Sequence, residues 1–298
     1  MTNFLQLVVA GVALGFQYAL IALGFVIIFK ATGVINFAQG GLVMLGAYLT
    51  YNAHVTWGIA FWPSVLLAVL ATAFVGLLVE RLILRRMVGK PPFALIMITI
   101  GLLFVIQELV SAIWGFDALN LGDPWGIDTI EIGDVVISVK DIWTVILATL
   151  VLLAFFAFFR FTSMGLAMRA TAIDQEAALA QGMSAKRVFA VSWAIAGGVA
   201  AIGGVTLASG PGGLSPTVQF FALLAFPAMI LGGLDSPGGA VVGGIVIGLS
   251  QTLTAGYQND YAPWLGQNFQ TVMPYVVMVV VLLVRPYGLF GTREVKRI

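Results

Sequence analysis

The 298 residues are 60% hydrophobic and only 9% charged, with a mean hydropathy of +1.05 and a formal net charge of +1. Soluble domains carry about 25% charged residues, so this composition is that of an integral membrane protein, and no basic stripe suggests nucleic acid as a partner. The absence of cysteine excludes disulfides, thiolate metal sites and a Cys nucleophile, and a single histidine, His54, leaves no zinc ligand set.

Taken in order, apolar runs long enough for a bilayer of roughly 30 Å fall near 4–29, 34–53, 59–80, 93–114, 142–160, 188–209, 217–234, 238–256 and 268–285. The chain is therefore predicted to be all-α, one polytopic bundle over 1–298 with about nine spans, eight to ten being the range. The first run, MTNFLQLVVAGVALGF, lacks the basic start of a secretory signal and stays apolar too long for one, so it is expected to be a retained span. Runs 34–53 and 217–234 are the weakest, the first interrupted by Asn36, Gln39 and paired glycines, the second short and containing Pro227.

Residues 30–41, KATGVINFAQGG, place Asn36 and Gln39 three apart on one helical face, just inside a membrane segment, beside Phe37, Gly40 and Gly41. An amide in hydrocarbon without partners costs several kcal/mol, so both must face protein or a polar path. Glue between helices and a substrate pathway are the two readings. In the fourth run, Glu108 beside Gln107 is a carboxylate inside the membrane, where insertion scales assign a cost of about 2.5–3.5 kcal/mol. Snorkelling to the interface is the simpler expectation, a proton relay the alternative.

Orientation follows the placement of Lys and Arg. Lys30, the Arg81/Arg85/Arg86/Lys90 group, the loop 160–187 and the tail with Arg293, Lys296 and Arg297 fall on one side; the acidic loop 115–141, with Asp117, Asp123, Asp128, Glu131, Asp134 and Asp141, falls on the other. The N-terminus is thus expected outside and the C-terminus inside. Within the external loop, Ile127–Val139 clusters β-branched residues around Gly133 and predicts a small hairpin.

The cytoplasmic loop reads RFTSMGLAMRATAIDQEAALAQGMSAKR. Thr171 stands three residues before Asp174, a capping-box spacing, and Gly182 tolerates a left-handed stop, predicting a helix of about ten residues. Glu176, Ala177 and Ala178 lie within it. Small-xxx-small pairs Gly11/Gly15, Gly239/Gly243 and Gly244/Gly248 predict close helix crossings. Ser236-Pro237-Gly238-Gly239 is turn chemistry, and Arg285-Pro286 an anchor and helix stop. No GxxxxGK[ST] loop exists, since Gly89-Lys90 is followed by Pro91, so ATP cannot be held here by that means.

The stretch GFQYALIALGFVIIFKATGVINFAQGGLVMLGAY, with EAALAQG at 176–182, AFPAMILGGLDSPGGAVVGGIVIGL at 225–249 and LLVRPYGLFG at 282–291, resembles the branched-chain amino-acid ABC transporter permease family in its shorter, H-type subunit. Pro227 departs from the small residue expected there. The resemblance implies a cytoplasmic-membrane permease without catalysis or cofactor, carrying branched-chain amino acids, other amino acids, or urea and amides. It further implies two ABC ATPase subunits docking on the EAA segment (Thr171, Asp174, Glu176, Ala177, Ala178, Gly182), a second, longer permease subunit, and a periplasmic or lipid-anchored substrate-binding protein. The competing classes are a stand-alone secondary transporter or channel, which would need paired intramembrane ions or a repeat, and an intramembrane enzyme, for which candidate residues are lacking.

Overall fold

The computed structural model describes residues 2–87, 90–173, 175–210 and 213–292. Among the described residues six helices are long and apolar enough to cross a membrane: α1 (Thr2–Thr32, counted as a span from Asn3), α3 (Phe61–Leu82), α4 (Pro92–Trp114), α5 (Val139–Phe161), α8 (Ala185–Ala208) and α10 (Pro237–Tyr261). Three more of the predicted runs hold shorter helices, α2 (Gln39–Tyr51), α9 (Val218–Gly232) and α11 (Met273–Val284), of 13, 15 and 12 residues. At about 1.5 Å per residue none of the three reaches roughly 30 Å alone. Helix α2 is flanked by irregular backbone at residues 33–38 and by a wider, π-helical turn at Asn52–Thr56, and α11 follows a tighter 3-10 turn at Phe269–Thr271. The pair α6 (Ser163–Ile173) and α7 (Gln175–Ala180) links α5 to α8.

Helix α1 is the central post, 78% buried over its most apolar window, with α5, α8, α9 and α10 packed around it. Lipid supplies no hydrophobic drive for this packing, so the contacts depend on backbone approach. Glycines provide it: a Cβ on Gly15 would lie 2.6 Å from the Ile245 Cα, and one on Gly244 would lie 2.6 Å from the Gly15 carbonyl oxygen. The α1–α10 crossing is therefore closed by the predicted Gly11/Gly15 and Gly244/Gly248 pairs, and Gly239/Gly243 closes α10 on α9.

The predicted hairpin is present, β1 (Thr129–Ile132) pairing antiparallel with β2 (Val135–Ser138) around Gly133 at φ 63°. Tryptophans gather at this end. Trp62, Trp125 and Trp143 meet at centroid distances of 5.0 to 6.1 Å, tying α3, the loop between α4 and α5, and α5 together in the manner of an interfacial aromatic belt. His54 sits between the Ile59 and Gly122 carbonyl oxygens at 2.7 and 2.9 Å, holding the C-terminal end of α2 to the same loop. Leu119 and Leu214 exchange two backbone hydrogen bonds of 2.8 Å, a contact between distant loops that the sequence reading did not foresee.

Candidate functional site: a buried amide seam

Beyond α1 the chain leaves the helix at Gly33, φ 70°, a left-handed angle that glycine adopts without steric cost. The Asn36 side-chain oxygen then accepts the Ala38 N–H at 3.0 Å, and Gln39 N–H reaches the Asn36 carbonyl at 3.2 Å, a side-chain-driven turn that launches α2. This corrects one expectation. Asn36 and Gln39 do not share a helical face, because Asn36 lies outside the helix that Gln39 begins.

The two amides consequently point into different surroundings. Gln39 Nε2 donates to the Ala196 carbonyl at 3.3 Å, midway along α8, and its amide fills the dip left by Gly24 of α1. The turn at Asn36 faces α4 instead, where the next residue, Phe37, donates its N–H to Thr99 Oγ1 at 3.2 Å and stacks on Phe226 of α9 at 5.8 Å. Gly40 and Gly41 bring α2 against its neighbours: a Cβ on Gly40 would be 2.9 Å from the Gln219 carbonyl oxygen, and one on Gly41 would be 3.2 Å from Ile106.

Helix α9 begins at this point. Gln219, in its first turn, donates through Nε2 to Gln107 Oε1 of α4. From here α2 runs to the end that carries the hairpin, and α9 to the end where Gly233 meets Gly288. Two helices thus start beside one another inside the bundle and diverge. Part of each first turn is already bonded, Gln39 N–H to the Asn36 carbonyl and Val218 and Phe220 N–H to the Ser215 and Thr217 carbonyls, and each end presents the positive end of its macrodipole. Sequence reasoning missed Gln219 and named Gln107 only as the neighbour of Glu108; the available signal was a glutamine in the otherwise apolar 217–234 run and another in the fourth.

Exposure of Asn36, Gln39 and Gln219 is 1%, 0% and 1%, yet Asn36 Nδ2, Gln39 Oε1 and Gln219 Oε1 have no hydrogen-bond partner. Backbone groups fix the first two orientations: an amide facing the Ala38 N–H must present oxygen, and one facing the Ala196 carbonyl must present nitrogen. Such groups cost about 1–3 kcal/mol each when left unsatisfied. The seam therefore offers a spare donor and spare acceptors for a polar solute. It offers no acid, base or nucleophile, and no metal-binding cluster occurs among the described residues.

At the opposite, basic end, the predicted capping of a ten-residue helix by Thr171 is overturned. Thr171 lies inside α6, and its hydroxyl donates back to the Ala167 carbonyl at 2.8 Å, which a mid-helix threonine does readily and an N-cap does not. Helix α7 has six residues. Asp174 lies outside the described residues, as does the side chain of Glu176. The stop at Gly182 is as expected, with φ 81° and the Met183 N–H returning to the Ala178 carbonyl at 3.0 Å in Schellman fashion. Ala177 is exposed, whereas Ala178 is 4% exposed and packs inside the chain.

Two cations bind this region to the rest. Lys30 donates to the Asp235 carbonyl at 2.9 Å and lies 5.3 Å over the Phe159 ring, while Arg169 of α6 covers the same ring and hydrogen-bonds the Phe159 carbonyl. The end of α1, the end of α5, α6 and the α9–α10 turn are thus one connected unit.

Residues 7–282 match the family described as branched-chain amino acid transport system / permease component. The chain is 30% identical to the high-affinity branched-chain amino acid transport system permease protein LivH of Escherichia coli (strain K12), over 99% of this chain and 98% of that protein. It is 28% identical to BraD of Pseudomonas aeruginosa over the same shares, and 27% identical to a probable LivH of Methanocaldococcus jannaschii over 94% of this chain and 90% of the relative. A solved structure described as PsaBC from Streptococcus pneumoniae in complex with Fab aligns over 95% of this chain and 92% of that chain, at a TM-score of 0.49 and 12% identity. A bundle of apolar helices around polar but unreactive groups, matched end to end by transport permeases, identifies the chain as a multi-pass membrane member of the branched-chain amino acid transport system permease family and not an enzyme.

Proposed function

We propose that this chain is one of two membrane subunits of an ABC importer that moves branched-chain amino acids inward across the bacterial cytoplasmic membrane. In this reading a second, longer permease subunit completes the path, two ATPase subunits dock on the α6–α7–Gly182 segment, and a periplasmic or lipid-anchored binding protein delivers substrate to the hairpin end. The observation that carries the reading is the seam where α2 and α9 begin together with the unfilled amide groups of Asn36 and Gln219. An α-amino acid carries a carboxylate and an ammonium that need donors and acceptors, and half-helix N-termini favour the carboxylate. The pathway residues are then Asn36, Phe37, Gly40 and Gly41, joined by Gln107 and Gln219, with Gln39 holding α2 in place. Lys and Arg placement supports an external N-terminus and an internal C-terminus.

The test is uptake of radiolabelled leucine into proteoliposomes that hold the complete transporter, with ATP inside and binding protein outside. Uptake that requires ATP and is competed by isoleucine and valine but not by urea is expected. Uptake driven by a proton gradient without ATP would identify a secondary transporter instead. Single cysteines in place of Asp128 and Lys186, both exposed, report the orientation in intact cells: an impermeant thiol reagent should label the first and spare the second.

A further inference from the structure

Helix α4 buries Thr99, Leu103, Ile106, Val110 and Ser111 along one edge. The other edge, with Gly101, Phe104, Val105, Glu108, Leu109 and Ala112, is exposed. Apolar exposure alone says nothing in a membrane protein, because lipid covers it as well as protein does. Glu108 is different. It stands six residues inside the outer end of α4, about 9 Å at the helical rise, and has no hydrogen bond or ion pair among the described residues. Helices α3 and α5 are just as apolar, but their ionisable residues lie within a few positions of the ends: Glu80 and Arg81 in α3; Lys140, Asp141 and Arg160 in α5. Carboxylates within a membrane span almost always face protein or water rather than lipid tails.

The surface around Glu108 is shaped for another helix. A Cβ placed on Gly101 would meet nothing within 4 Å, and Ala112 lies one turn beyond the carboxylate, so small residues on both sides open the backbone to close approach. Behind it, Gln107 ties this stretch of α4 to Gln219 and the seam. We infer that the Glu108 face of α4 is the seat of a second, different membrane-spanning subunit, which sets a cationic or amide hydrogen-bond donor against Glu108. The inference rests on the reading of this chain as one of two membrane subunits. A second copy is disfavoured because a two-fold contact centred on this carboxylate would set Glu108 against its own counterpart, like charge against like.

The cysteine-free chain allows a direct test in the assembled transporter. Single cysteines at Gly101 and Val105 on α4, and at Leu70 on α3 and Leu150 on α5 as exposed controls, are modified with benzophenone maleimide and irradiated in native membranes. Adducts with the second membrane subunit are expected from the α4 positions in at least ten-fold higher yield than from the controls. Adducts with that subunit from Leu70 or Leu150 instead, or only lipid adducts from α4, overturn the assignment of this face while leaving the two-subunit reading intact. A product of two copies of this chain overturns the different-partner claim. Independently, E108Q should co-purify the partner at more than half the wild-type yield, and E108K should lower the yield at least ten-fold. Wild-type co-purification with E108K contradicts the paired donor, and failure of the unmodified chain to retain any second membrane subunit removes the functional reading itself.

Discussion

Gln219 and Gln107 share a side-chain hydrogen bond across 112 residues of sequence, joining the first turn of α9 to α4 at the place where α2 also begins. Because Gln219 is 1% exposed and Gln107 half-buried, removing either partner takes from the other the hydrogen bond that satisfies it. Gln219→Leu and Gln107→Leu should each destabilise the protein by about 1–3 kcal/mol. The double variant should be less destabilised than the sum, since two apolar groups leave nothing unpaired. Thermal unfolding in detergent checks this, and strictly additive losses would show that the pair is not a unit.

Asn36 and Gln39 should separate into transport and stability phenotypes. Asn36→Asp keeps the oxygen that caps the Ala38 N–H at the positive end of α2 but exchanges the unpartnered donor for an acceptor. Burying that carboxylate should lower Tm somewhat, and leucine uptake should fall at least ten-fold, by more than the lost stability accounts for. Gln39→Leu removes the bond to the Ala196 carbonyl and should lower Tm by an amount that accounts for its lost flux. Normal uptake by Asn36→Asp would take Asn36 out of the pathway.

At the basic end, neighbouring alanines make opposite forecasts. Ala177→Trp adds bulk to an exposed position and should leave Tm unchanged while cutting substrate-stimulated ATP hydrolysis of the complex several-fold. Ala178→Trp adds it at a position 4% exposed and should chiefly lower Tm, as overpacking costs about 1–3 kcal/mol. Gly182→Val strains a φ of 81° and should uncouple ATP hydrolysis from uptake. Unchanged coupling in both Ala177→Trp and Gly182→Val would mean that this segment does not receive the ATPase.

Period and composition made the helices legible, because every apolar run of sufficient length holds one. They could not reveal where a run breaks. Asn36 looked like a residue of a helical face, and only the hydrogen bond from the Ala38 N–H to its own side chain shows why the backbone there is a turn. Thr171 failed for the mirror-image reason. Its spacing to Asp174 satisfied a capping pattern, but the helix had already begun at Ser163, and a threonine hydroxyl serves a preceding carbonyl as easily as a following N–H. Gly182 was correctly read because a left-handed angle depends on one residue alone. Gln219 was overlooked because its significance lies in what α4 and α2 place beside it.

The base of α9 is clamped. Leu289 N–H bonds the Leu231 carbonyl at 2.8 Å and Phe290 N–H the Gly232 carbonyl at 3.0 Å, so the segment after α11 occupies the acceptors that a helix end leaves open. With its far tip at Gln219, α9 is a lever. A stiff rod of 15 residues spans about 22 Å, and a tilt of about 10° at its base sweeps the tip roughly 4 Å. If the helix instead flexes at Pro227, where the ring removes one rung of the ladder, the working arm is eight residues and the sweep roughly 2 Å. Either stroke exceeds the slack of a hydrogen bond, so a small rotation at the basic end is enough to part Gln219 from Gln107 and unlatch the seam.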